Sequence, residues 1–273
     1  MTINCKGTLV DISSPKVMGI LNITPDSFFD GGRYKNDTQI LSQVEKMLTE
    51  GATFIDVGAY SSKPGAIHIS EDEELKRMVP VIDLLLKNFP EIILSIDTFR
   101  SKVAQETIHT GAAIINDISG GKMDNNMFAT VANLKVPYIL MHMQGTPQNM
   151  QQNPIYEDVT KEIIFFFAEQ IRKLQQLMVN DIIIDIGFGF GKTIDHNFEI
   201  LKNLELFKSL DAPILAGISR KSMLYKTLGI SAQEALNATT SANTIALLNG
   251  AHILRVHDVK EAMEAVKIVS QVL

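Results

Sequence analysis

Eight times along this chain a short, nearly continuous apolar run precedes a stretch whose apolar residues recur with helical spacing. "VMGILNI" (17–23) precedes 38–52, "FIDVG" (54–58) precedes 70–89, "IILSID" (92–97) precedes 101–112, and "IINDI" (114–118) precedes 123–135. "PYILMH" (137–142) precedes 155–179 and "IIIDIG" (182–187) precedes 195–210. "PILAGI" (213–218) precedes two helical stretches, and "AHILRVH" (251–257) precedes 258–273. Strands that are apolar throughout, rather than alternating, suit a parallel sheet covered on both faces. Eight such units in 273 residues, with no Pro/Gly-rich linker, predict one α/β domain over 1–273. The architecture expected is a (β/α)8 TIM barrel rather than an open doubly wound sheet. Residues 3–14 are expected to form a short N-terminal hairpin under the barrel, and Ser70 with Glu73 spells a capping box.

Composition narrows the partners. The net charge is −6, so there is no general basic field for nucleic acid, and an anionic ligand must find local cations. Cys5 is the only cysteine, which removes an internal disulfide and a cysteine-rich metal site and points to a reducing compartment. The start shows no basic-then-apolar signal pattern, and no apolar run approaches a membrane span. The expectation is a cytoplasmic protein without membrane or nucleic-acid partners.

In a barrel the chemistry sits at the C-terminal strand ends. Asn22 closes the first strand, Asp56 and Gly58 the second, Asp97 the third, Asn116 and Asp117 the fourth, Met141 and His142 the fifth, Asp185 the sixth. Ser219, Arg220, Lys221 and Ser222 follow the seventh, and the eighth carries Arg255 and His257. A strand-end acid is often only a cap; Asp56 and Asp117 read equally well that way. Asp97 and Asp185 end strongly apolar strands, where an idle carboxylate is costly, and are read as functional. His68, His109, His196 and His252 are read as structural. "LAGISRKS" with "RVH" marks the seventh and eighth strand ends, where barrels commonly hold phosphate. "DIGFGFGKT" (185–193) is neither a phosphate P-loop nor a dinucleotide fingerprint, because its glycine spacing fits neither. It reads as a loop allowing close backbone approach, with Phe188 and Phe190 as walls for a flat ligand. Acids and amides together suit a heterocycle with an amino-pyrimidine edge, without identifying one.

The segments "GILNITPDSFFDGG", "SIDTFR", "NDISGG", "DIGFGFGK", "SRKS" and "TTSANTIALLNGAHILRVHDV", in this order from about residue 16 onward, resemble the dihydropteroate synthase family of pterin-binding enzymes. The resemblance implies a transferase of folate biosynthesis and a target of sulfonamides. It would join 6-hydroxymethyl-7,8-dihydropterin diphosphate to 4-aminobenzoate and release diphosphate with the help of Mg²⁺. It also implies a homodimer formed through outer helices. Residue by residue, it assigns Asp97, Asn116 and Asp185 to the pterin edge and Lys221 to the pterin ring. Arg255, His257 and Asn22 fall to the diphosphate, with Asn22 also at the metal. Ser222 would take the aminobenzoate carboxylate and Phe190 would line its ring, while Ser62, Lys63, Met141 and Gly217 complete the substrate-contacting set. Asp97, Asp185, Lys221, Arg255 and His257 form the catalytic group. The family's Ser-Thr-Arg-Pro-Gly reads Ser61-Ser62-Lys63-Pro64-Gly65 here; lysine keeps the charge but loses the planar fork. Ile186 stands where the family has proline. The long turn after Asn22 reads as a mobile cover, with Asp26 or Asp30 and Phe28 or Phe29 closing over the reacting carbon. The alternatives are a related barrel that moves a methyl group from methyltetrahydrofolate to a corrinoid protein, which needs no diphosphate clamp, and a non-catalytic paralogue, which would lose clamp residues.

Overall fold

The computed structural model describes residues 1–23, 33–61, 68–150 and 153–272, with the side chains of 33–36 set aside. The expected hairpin is present: β1 (Thr2–Cys5) pairs antiparallel with β2 (Thr8–Asp11), Ile3 opposite Val10. Eight parallel strands then close on themselves: β3 (Lys16–Asn22), β4 (Phe54–Gly58), β5 (Leu94–Asp97), β6 (Ile114–Asp117), β7 (Tyr138–Met141), β8 (Ile182–Asp185), β9 (Ile214–Ala216) and β10 (Ile253–Val256), with β10 returning to β3. This is the predicted TIM barrel.

Helices fill the crossovers: α1 (Arg33–Thr49), α2 (Glu71–Asn88), α3 (Ser101–Thr110), α4 (Met127–Leu134), α5 (Val159–Gln176), α6 (Ile194–Lys202), α7 (Ser222–Leu228), α8 (Leu236–Leu248) and α9 (Val259–Val269). In α2 the buried residues Glu74, Met78, Ile82 and Leu85 follow the 3.6-residue period and form one stripe against the barrel. The capping box at its start is only half made. Ser70 Oγ accepts the Glu73 N–H at 3.2 Å, but the Glu73 carboxylate turns to Arg77 Nε at 2.8 Å instead of reaching back. The reciprocal box occurs at α6, between Thr193 and His196. The single helix expected over 195–210 is divided: α6 stops at Asn203 and a 3₁₀ turn (Leu204–Leu210) follows. His252 is structural as expected, its Nδ1 accepting the Ile214 N–H at 3.1 Å.

The barrel interior is layered because side chains alternate along each strand. The lower inward layer is apolar: Met18, Phe54, Ile114, Ile139, Ile183, Leu215 and Ile253, capped from below by Ile3, Cys5 and Ile12 of the hairpin segment. Each fully buried Ile or Phe there contributes about 2 kcal/mol of transfer free energy. Burial pushes the Cys5 thiol up to about 12, so it stays an inert hydrophobe. One step of alternation above this floor stand Asp56, Asn116, Asp185 and Arg255. The register sets the upper end level, with Asn22 beside Gly58, Gly58 beside Asp97, and Asp97 beside Asn116.

Candidate active site

The polar layer is organised around Asp56, which is fully buried. Its Oδ1 accepts Ser95 Oγ–H at 2.6 Å, and its Oδ2 accepts Asn116 Nδ2–H at 3.0 Å and Arg255 Nε–H at 2.7 Å. Arg255 spends Nη2 on Asp97 Oδ2 at 2.9 Å. One guanidinium is thus held by two carboxylates from neighbouring strands. Burial drives the Asp97 carboxyl up to about 7; Arg255 opposes the shift, and Asp56, Glu74 and Asp117 add to it. Its side chain keeps 20 % of its surface open, so a ligand can reach it. Asn116 Oδ1 is buried and has no hydrogen-bond partner among the described residues. A buried amide oxygen left this way costs about 1–3 kcal/mol, and a ligand N–H would recover it.

Asp185 stands opposite. Its Oδ1 accepts the Gly187 N–H at 2.8 Å, and a Cβ placed on Gly217 would come 3.8 Å from its Oδ2. The missing side chain at Gly217 therefore leaves space in front of this carboxylate. Burial raises the Asp185 carboxyl, moderated by that hydrogen bond and by Lys221, Arg255 and Lys192. Lys221, the residue that opens α7, lies with its Nζ 4.1 Å from the centre of the Phe190 ring. Burial and then Arg255 bring its ammonium down to about 8, against the pull of Asp185 and Asp97. Phe190 itself belongs to an apolar patch at the mouth, with Tyr60, Phe99, Ile118, Met141, Met143 and Met150.

The glycine-rich loop is held by Lys192, only 3 % exposed. Its Nζ donates to the carbonyls of Gly187 (2.9 Å), Phe190 (3.0 Å) and His142 (3.2 Å), and lies 3.1 Å from His142 Nδ1. Burial lowers this ammonium to about 7. Glycine is obligatory at 187, where φ is +70° and a Cβ would fall 2.0 Å from the His142 carbonyl oxygen. The loop's lysine is a clasp on backbone oxygens; no phosphate role is needed to explain it.

At the rim, His257 follows β10 and is open to solvent, and Ser219 Oγ lies 3.0 Å from its Nδ1. Partial enclosure at the rim and then the Arg255 charge hold the imidazole below its usual range, with Asp258 pulling the other way. Arg220 is turned away: Nε and Nη2 grip Asp258 at 2.8 and 2.9 Å, and Nη1 donates to the carbonyls of Ala232 and Gln233.

An acid-and-amide floor under a cationic rim fits a flat amino-heterocycle carrying an anionic group. Comparison with known proteins agrees. A family of pterin binding enzymes matches residues 18–257. A dihydropteroate synthase of Escherichia coli is 42% identical over 275 residues, covering 100% of this chain and 97% of its own. The chain belongs to the pterin binding enzyme family. Among solved structures, the Yersinia pestis dihydropteroate synthase in a sulfonamide drug complex is similar at a TM-score of 0.93 and 42% identity, covering 100% of this chain and 99% of that one. The Xanthomonas albilineans dihydropteroate synthase with 4-aminobenzoic acid is similar at a TM-score of 0.92 and 34% identity, covering 99% and 97%. Within the pterin binding enzymes this chain is therefore a dihydropteroate synthase, a transferase, rather than the corrinoid-linked alternative.

The pterin binding barrel brings together Asn22, Asp97, Asn116, Asp185, Lys221, Arg255 and His257 at one end, with Met141, Phe190, Gly217 and Ser222 beside them. Asp26, Phe28, Phe29 and Asp30 of the expected cover, and Ser62 and Lys63, lie outside the described residues. Two open readings are decided and one changes. Asp117 is structural, accepting the N–H groups of Ser119 (2.7 Å) and Gly121 (2.9 Å) and the Tyr138 hydroxyl (2.7 Å). Asp56 belongs to the site. Phe188 is no ligand wall: it is 1 % exposed and packs in the layer between sheet and helices, as does Ile186. Ser95 and Lys192 were missed as site supports; the small polar Ser95 inside an apolar strand was the only available hint.

Proposed function

We propose that this cluster condenses 6-hydroxymethyl-7,8-dihydropterin diphosphate with 4-aminobenzoate through the following division of labour. The observation that carries it is the buried Asn116 Oδ1, without a partner among the described residues, set among carboxylates at the bottom of a cation-rimmed mouth. Asn116, Asp97 and Asp185 take the N–H and amino donors of the pterin edge, and Lys221 takes the ring from the side. Asp56 and Asp97 fix the Arg255 fork, and Nη1, without a protein partner among the described residues, is the end left for diphosphate. His257 and Asn22 complete the anion contacts. Ser222 with Ser62 and Lys63 receives the aminobenzoate carboxylate, or a sulfonamide in its place, while Phe190 and Met141 flank the ring. The cover residues Asp26 or Asp30 and Phe28 or Phe29 shut out water.

The chemistry needs charge placement rather than a protein nucleophile. As the bond to diphosphate lengthens, negative charge grows on the leaving group beside Arg255 and His257, while positive charge on the dihydropterin's exocyclic carbon lies among carboxylates. The neutral arylamine then attacks that carbon. Among the described residues no three His, Cys, Asp or Glu side chains cluster to hold a metal. Mg²⁺ does not need such a cage, because it takes most of its oxygens from water and substrate phosphate, and the Asn22 amide oxygen suits it as a single protein donor. Bound there, it would offset charge on the departing diphosphate.

We further read the chain as one domain, cytoplasmic, and a homodimer. The support for the dimer is an exposed apolar set on the outer helices after β8 and β9: Phe198, Leu228, Ile245 and Leu248. No helix among the described residues is long and apolar enough to cross a membrane.

Incubation with the pterin diphosphate, Mg²⁺ and 4-aminobenzoate should yield dihydropteroate and diphosphate; absence of both overturns the reading. Phe190→Ala should raise KM for 4-aminobenzoate about tenfold, the value of one lost aromatic wall, with little change in pterin diphosphate affinity. Equal losses for both substrates in titration would mean that Phe190 acts through Lys221 instead.

A further inference from the structure

Ser219 is used by none of the roles above, yet its hydroxyl makes two contacts to one residue. Its Oγ accepts the His257 backbone N–H at 3.2 Å and lies 3.0 Å from the same residue's Nδ1. Ser219 is buried, and its Oγ has no other partner among the described residues. A hydroxyl has one proton and two lone pairs. If Nδ1 carried the ring proton, Oγ would accept twice and its own proton would be stranded in a buried place. If the hydroxyl donates to Nδ1, every group is satisfied and the ring proton sits on Nε2. The neighbouring carboxylate of Asp258 favours a charged ring, but its two oxygens are spent on Arg220 at 2.8 and 2.9 Å. Arg255, Arg220 and Lys221 oppose it and disfavour the cationic form.

We propose that Ser219 is a positioning residue that fixes His257 as the Nε2–H tautomer, so that the ring meets the leaving diphosphate as a preset hydrogen-bond donor. The inference rests on the assignment of His257 to diphosphate. The bond also ties the end of β9 to the end of β10, so the donor is held by two neighbouring strands rather than by its own rotamer alone.

The test uses the full-length protein with ¹⁵N-labelled histidine. Long-range ¹H–¹⁵N spectra should show His257 as one Nε2–H species in the native protein and in Ser219→Thr, and as a mixture in Ser219→Ala. Titration with inorganic diphosphate and Mg²⁺ should show affinity falling about tenfold in Ser219→Ala, as for one misplaced hydrogen bond, and recovering in Ser219→Thr. A native ring protonated on Nδ1, or an alanine variant that keeps the Nε2–H pattern, overturns the tautomer lock. If the lock is seen but neither Ser219→Ala nor His257→Ala changes diphosphate affinity, the fault lies in the anion role of His257, and the proposal falls with it.

Discussion

Replacing Arg255 by methionine is expected to lower kcat/KM by about two to three orders of magnitude and to destabilise the fold by roughly 3 kcal/mol at pH 8. The two losses have different origins. The rate falls because the leaving diphosphate loses a preset donor. Stability falls because Asp56, fully buried, loses the guanidinium that matched it. The pH dependence has a definite sign. Asp97 is already raised to about 7 by burial, and Arg255 is the influence holding it down. A carboxyl whose folded value lies above its unfolded value costs stability as pH rises through the folded value. The variant should therefore lose most above pH 7 and least near pH 5, where Asp97 is protonated, as thermal melts across that range would show. Adding Asp56→Asn should restore much of the stability and none of the activity. A single variant that melts lower yet keeps its rate within about tenfold would make Arg255 a structural residue.

The element order and the closed barrel follow from the eight apolar runs, since only a sheet buried on both faces asks for them. That same feature hid part of the site. Where both faces of a strand are apolar, no alternation reveals which residues point inward. Asp56 and Asp117 therefore looked alike, although Asp56 shares the inward face with Phe54 and Asp117 faces the helix layer beside inward Asn116. Phe188 and Phe190, two residues apart, read as a pair that shares a face, but the turn with Gly187 and Gly189 at φ +70° and +80° sends one to the core and the other to the mouth. Lys192 was illegible for another reason. Its role depends on three carbonyl oxygens converging on one ammonium, and backbone geometry of that kind carries no side-chain signature. Asp97, Asp185 and Arg255 were readable because charges at the ends of apolar strands have no inexpensive structural alternative.

Asp185→Asn separates function from stability by driving them in opposite directions. The amide oxygen still accepts the Gly187 N–H, so the loop keeps its anchor. The second carboxylate oxygen, which faces the gap left by Gly217, is replaced by an NH₂ group that meets ligand N–H donors with its own hydrogens. Affinity for the pterin diphosphate should fall about a hundredfold or more, since a site built to accept hydrogen bonds rejects a partner left unpaired. Stability should move the other way. The Asp185 carboxyl is raised by burial despite Lys221, Arg255 and Lys192 nearby, so its charged form weakens the fold above its unfolded value near 3.8. Removing that charge should raise the melting temperature at pH 7–8 and leave it unchanged at low pH, where the native carboxyl is already neutral. A variant that binds pterin normally would remove Asp185 from the substrate edge. A variant that melts lower at pH 8 would show that its pairing with the surrounding cations outweighs its burial, and that the site's negative charge supports the barrel as well as the ligand.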